Sequence, residues 1–220
     1  MSPDPHGSSR TGPFDPPSAS SGPRILVVAG HPDAKSFSHA QAQAYAAQAE
    51  DAGAQVTLLD LAAERFDPVL RFGYREHMPD DAFINRSQEA LIDCDHLTLV
   101  FPTWWSAEPS LLKGWFDRVL TPGIAYRYRT GKISPEKLLA GRTATIITTS
   151  HGPAAWTRSP GMSVWRVSRA VLGYCGIKTT QRLVLGGMEG EKDTPQQRRD
   201  FLGLVAEAAT REVETIRRSR

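Results

Sequence analysis

The 220 residues carry 26 Lys and Arg against 24 Asp and Glu, a net charge of +2, with 40% hydrophobic and 23% charged residues. This mixed balance suits a globular domain and argues against a basic nucleic-acid face or an acidic tail. Cys94 and Cys175 form no CxxC or metal-ligand spacing, no apolar run nears the ~20 residues of a membrane span, and no secretory apolar core is present, so a cytoplasmic protein without a metal site is expected.

Residues 1–23 are mostly proline, serine and glycine and cannot bury enough apolar surface to offset the entropy of ordering. They read as a disordered leader, with one domain expected over 24–220. Ile25–Ala29 (ILVVA) is apolar and β-branched throughout, the pattern of a central parallel strand. After the loop Gly30–Phe37, Ser38 and Gln41 have capping-box spacing, which predicts a helix to about Asp51 ended by Gly53. Gln55–Leu59 (QVTLL) is a second strand, completing a βαβ unit. Asp60–Asp80, broken by Pro68, Gly73 and Pro79, has no regular pattern, and connections this long usually serve a site or an interface.

Ala82–Ile92 is expected to be helical and His96–Val100 (HLTLV) a buried strand. Leu111, Leu112, Trp115, Phe116 and Val119 then mark the core stripe of a helix. Tyr126–Arg142 is a polar excursion. Thr143–Thr149 (TATIITT) and Lys178–Leu185 are the fourth and fifth strands, separated by the loop Ser150–Gly161 and a helix over Met162–Tyr174. Thr194, Pro195 and Gln197 supply the N-cap, N1 proline and capping-box glutamine of a last helix.

Five apolar strands alternating with helices predict a doubly wound, three-layer α/β domain. The first loop, GHPDAKSFS, is neither GxGxxG nor a Walker loop, so the flavodoxin-like strand order 2-1-3-4-5 is expected. Ligands in that order sit beyond the carboxyl ends of the strands. Three loops are then of interest. In the first, a helix N-terminus with the hydroxyls of Ser36 and Ser38, beside His31 and Lys35, suits a phosphate. The plainer alternative makes Ser38 a helix cap and His31 a turn residue. In the second, Pro102 stiffens the backbone and Trp104 and Trp105 offer flat surface for a planar ring, unless they belong to the core. In the third, Thr148, Thr149, Ser150 and Gly152 are small enough for close backbone approach, and His151 stands among them.

Together, GHPDAKSF, FPTWWSAEPSLLKGWFDRVLTPGIAY and IITTSHGP resemble the NAD(P)H:quinone oxidoreductase family of flavodoxin-like flavoproteins, over about Arg24 to Gly187. The resemblance implies that His31, Ser36, Phe37 and Ser38 hold a flavin's phosphate and ribityl chain. It lays Pro102, Thr103, Trp104, Trp105 and Ser106 along the isoalloxazine edge and brings Thr148, Thr149, Ser150, His151 and Gly152 to its pyrimidine side. It implies FMN or FAD, with FMN favoured because no long extension is present to embrace an adenosine, and NAD(P)H as co-substrate. It also implies a homodimer and ping-pong two-electron reduction of a quinone or similar electrophile. Two alternatives are a regulatory flavin-binding subunit of a membrane transporter and a flavodoxin-type electron carrier; the +2 charge argues against the carrier. The chain departs from the family by placing Ser150-His151 where two glycines are common. It also places Trp156 and Met162 where a tyrosine and a histidine stabilise the reduced flavin. Neither Trp156 nor Met162 is a good proton donor or acceptor, and His151 or Arg158 could substitute; no catalytic residue is assigned, with His151 and Trp156 kept as the candidates.

Overall fold

The computed structural model describes residues 22–73, 75–191 and 193–220, so most of the expected leader lies outside the described residues. Gly22 and Pro23 belong to the fold: the Pro23 carbonyl accepts the Gln55 N–H at 2.8 Å. In chain order the elements are β1 (Arg24–Ala29), α1 (Phe37–Asp51), β2 (Gln55–Asp60), α2 (Ala82–Asp93), β3 (His96–Pro102) and α3 (Ser110–Val119). A small antiparallel hairpin, β4 (Tyr126–Arg127) with β5 (Glu136–Lys137), interrupts the polar excursion. Next come β6 (Thr143–Thr149), α4 (Ala154–Thr157), α5 (Ser163–Arg166), a π-helical stretch Val167–Leu172, α6 (Gly173–Cys175), β7 (Lys178–Leu185) and α7 (Pro195–Ser219).

The five-stranded sheet runs β2-β1-β3-β6-β7, which is the expected 2-1-3-4-5 order once the hairpin is set aside, and all its pairings are parallel. Alternation along β1 divides the core. Ile25, Val27 and Ala29 pack under α1 and α7 with Tyr45, Phe201 and Val205. Leu26 and Val28 face the other way, against Leu91 of α2 and Leu112 and Trp115 of α3. Trp115 and Phe116 are therefore core, and each such side chain contributes roughly 1.5–3 kcal/mol by leaving water. Both cysteines are buried, and no helix among the described residues is long and apolar enough to cross a membrane.

Two helix expectations change. The cap of α1 is Ser36, not Ser38: Ser36 is extended (φ −71°, ψ 158°) and its hydroxyl oxygen accepts the His39 N–H at 3.2 Å. Starting there places Ser38 at the head of the buried stripe Ser38, Gln41, Ala42, Tyr45, Ala46, Ala49, which a cap at Ser38 would forfeit. The helix expected over Met162–Tyr174 is interrupted by the π-helical turns, inside which Ser168 accepts from Arg182 at 2.8 Å. The long connection after β2 has no regular structure yet is tied down. Asp67 gives its carbonyl to the buried Arg118 at 2.5 Å, and Pro68 lies so close to Gly114 that a Cβ there would sit 2.3 Å from it.

Polar groups pin α7 at the amino end of the sheet. Glu212, 2% exposed, lies 3.2 Å from Nδ1 of the fully buried His96 and accepts from Thr143, Thr180 and Gln181 at 3.3, 3.0 and 2.8 Å. Burial alone would raise the pKa of this carboxyl. The bonds from His96, Gln181 and Thr180 outweigh it and hold the pKa at about 2.

Candidate functional site

At the carboxyl ends of β1, β3 and β6 a cavity of about 350 Å³ opens. Its first wall is the loop and first turn of α1: His31, Ser36, Phe37 and Ser38. The amides of Phe37 and Ser38 lie in the first helical turn, where N–H groups have no intrahelical acceptor. Ser36 uses its oxygen as the cap and keeps its hydroxyl hydrogen for a ligand. His31 Nδ1 accepts the Asp33 N–H at 2.9 Å, so the proton of the neutral ring sits on Nε2. Burial lowers the pKa of His31 against the opposing pull of Asp33. Lys35 is exposed and outside the lining.

The second wall is the exit from β3. Thr103 donates its N–H to the Thr149 carbonyl at 2.7 Å, and its hydroxyl lies 3.0 Å from that of Thr148 and 2.7 Å from that of Ser163. Trp104 and Ala107 then exchange backbone bonds of 2.8 and 2.9 Å around a two-residue turn. Both central residues, Trp105 (φ 48°) and Ser106 (φ 64°), are left-handed. This primed-turn geometry favours Asn and Gly; a tryptophan there is strained. Pro102, Thr103 and Trp104 line the cavity, and Trp104 meets the His31 ring edge-on at 5.2 Å between centroids. Trp105 points away, fully exposed at 101%, and Ser106 is exposed with it.

The third wall is Thr149, Ser150 and His151. Thr148 is buried behind it, and Gly152 is outside the lining. Four bonds stitch this loop to the end of β7. Ser150 N–H donates to Leu185 (2.9 Å), Met188 N–H to Ser150 (3.0 Å), Gly187 N–H to Gly152 (3.1 Å), and His151 Nδ1–H to the Met188 carbonyl (2.9 Å). A carbonyl only accepts, so neutral His151 leaves Nε2 unprotonated. Trp156, on α4, is 64% exposed and lies outside the lining.

A fourth wall was not legible in the sequence: Met188 and Glu189 from the connection into α7, and Arg198 from its first turn. Arg198 lies over the Phe37 ring at 5.3 Å and is held by Asp193 through bonds of 2.7 and 2.6 Å. That pairing, with the Glu189 N–H, brings the Asp193 carboxyl down to about 2. The available signal was Gly186-Gly187, which ends the last strand on the same side as the other three loops.

The walls differ in chemistry. The first and fourth offer helix-start amides, hydroxyls and Arg198, a set suited to a phosphate ester. The second and third offer the flat Trp104 and the backbone of Thr149–His151. A larger cavity of about 450 Å³ lies between the 70–81 connection and α2, but its charges of both signs, Arg75, Glu76, Asp80 and Arg118, offset one another away from the strand ends. Size therefore does not choose the site; convergence of donors does. No cluster of three or more His, Cys, Asp or Glu suited to a metal occurs among the described residues.

A family model described as Flavodoxin-like fold matches residues 23–206. A ribosyldihydronicotinamide dehydrogenase [quinone] of Pongo abelii is 27% identical over 190 residues, covering 71% of this chain and 78% of that protein. Among solved structures, an NAD(P)H:quinone oxidoreductase from Methanothermobacter marburgensis superposes with a TM-score of 0.68 at 25% identity, covering 84% of this chain and 96% of the other. The general stress protein 14 of Treponema denticola, in complex with FMN, gives a TM-score of 0.55 at 26% identity over 85% and 99%.

Proposed function

Because the chain belongs to the family with the flavodoxin-like fold, we propose that it is a flavin-dependent NAD(P)H oxidoreductase that passes two electrons, as hydride, to a quinone or a similar small electrophile. The observation that carries this reading is one cavity lined both by anion-binding donors and by the flat Trp104. The named relatives support it, two as quinone-reducing enzymes and one as a binder of FMN.

The residues present fit such a group. The first-turn amides of α1, the Ser36 and Ser38 hydroxyls, the Nε2–H of His31 and the Arg198 guanidinium would hold the phosphate of FMN. Trp104 and Thr103 would lie along the ring, and Thr149, Ser150 and His151 would meet its polar edge. A flavin held there would supply the hydride chemistry between NAD(P)H and the acceptor, while the protein supplies orientation and charge compensation. Two-electron traffic also moves protons, and His151, with Nε2 unprotonated, can take one up while Nδ1–H stays on Met188. FMN rather than FAD is favoured by the FMN-bound relative, and Arg198, pinned by Asp193 over Phe37, lines the cavity beside the start of α1. The exposed aromatics Trp105, Trp156 and Trp165, at 101%, 64% and 42%, support association of two copies, since exposed rings of this size can await a partner or an acceptor.

The test is spectroscopic. Purified protein, supplied with FMN if colourless, should show a flavin spectrum that bleaches anaerobically with NADH or NADPH and recovers on addition of a quinone. Protein that binds neither FMN nor FAD refutes the reading, and bleaching by one nucleotide alone identifies the donor.

A further inference from the structure

The strained turn at Trp105-Ser106 needs an external hold. Each non-glycine residue in the left-handed region costs ~1–2 kcal/mol, and the fully exposed Trp105 returns no burial to offset it. The upstream end is fixed where the Thr103 hydroxyl meets Ser163 at 2.7 Å. Downstream, one residue past Ala107, stands Glu108, whose side chain is only 1% exposed. No hydroxyl or backbone amide among the described residues donates to either of its oxygens. Its charge is met by the guanidinium of Arg166, which contacts the carboxylate directly.

Ser163 and Arg166 begin and end α5, three residues apart and so on one face of a helical turn. A single helical turn therefore touches the segment on both sides of the strained pair. We propose that Glu108 and Arg166 are positioning residues, and that α5 clasps the tryptophan turn through Ser163 and Arg166 and so fixes the angle at which Trp104 walls the cavity. The functional half of this proposal rests on the cavity being the flavin site; the structural half does not.

The direct test compares the whole chain with Arg166→Met, reading amide exchange at Trp104 and Ala107 together with FMN affinity. Stranding a buried carboxylate that has no other donor should release the turn. Exchange at those two amides should rise by about tenfold or more and the FMN dissociation constant by about tenfold, equivalent to ~1.4 kcal/mol. Exchange in β3 should stay unchanged, and Arg166→Lys, which keeps the charge, should recover part of both losses. Unchanged turn amides, or exchange accelerated equally throughout the sheet, would overturn the proposal, because a pair that merely adds stability acts globally. If Arg166→Met does not fold, Glu108→Gln gives the same two readouts. If the wild type binds no flavin, that reading fails while the exchange data still decide the clasp.

Discussion

Replacing Trp105→Asn together with Ser106→Gly should make the protein more stable. The two residues hold φ values of 48° and 64°, and their turn is of the kind that Asn-Gly fills best. Relief of left-handed strain is worth ~1–2 kcal/mol per residue. Glycine returns roughly 0.5–1 kcal/mol of that through greater freedom in the unfolded chain, and asparagine keeps part of the strain. Loss of the indole costs no burial, since Trp105 is fully exposed. The net gain is about 1–2 kcal/mol, which for a domain of this size raises Tm by ~3–6 °C. Thermal and urea melts of flavin-free protein would measure it. A Tm that is unchanged or lower would show that the turn is not strained and would remove the premise of the clasp. FMN affinity should change little, because Trp104 lines the cavity and Trp105 does not. Turnover with bulky aromatic acceptors should fall if Trp105 meets them at the rim.

Ser36→Ala removes the cap of α1 and a hydroxyl from the first wall of the cavity at once. Stability of the flavin-free protein should drop by ~1 kcal/mol, with FMN binding weakened beyond that loss, as fluorescence titration would reveal; equal binding would take Ser36 out of the site. Acid should act through Glu212, whose folded pKa of about 2 lies below its ordinary value of 4.5. Its stabilisation is complete above pH ~4.5 and lost as pH falls toward 2, amounting to about 3 kcal/mol at 1.36 kcal/mol per unit. Urea midpoints at pH 5 and pH 3 should therefore differ less in Glu212→Gln than in the wild type, and an identical acid dependence would contradict the assignment.

The strands were the most legible part of this chain. Thr143–Thr149 and Lys178–Leu185 match β6 and β7 in full, since apolar, β-branched runs bounded by polar or glycine residues have few other ways to be buried. Local chemistry with two near-equal solutions was harder to read. Ser36 and Ser38 are both good caps, and only packing of the Ser38–Ala49 stripe on the sheet decides between them. The loops of the site were readable where a strand end announces them. Arg198 was not, because its place over Phe37 depends on how α7 lies across α1, a contact between residues 161 positions apart. The handedness at Trp105 also escaped, since nothing in the residues WWSA favours a primed turn. The π-helical stretch after Arg166 has no sequence signature that we can name.

The buried contact of His96 with Glu212 has a consequence for assembly. A 25-residue amphipathic helix lying on an apolar sheet face could seat at several heights, each one helical turn or about 5.4 Å from the next. Apolar contacts alone discriminate weakly between such seatings. A slip of one turn would carry the Glu212 carboxylate away from His96, Thr180 and Gln181 and leave a buried charge without donors. Only one height keeps the charge satisfied, and at that height the same helix delivers Arg198 to Phe37 at its other end. Misalignment is thus penalised at the foot of the sheet, far from the cavity whose fourth wall it would spoil.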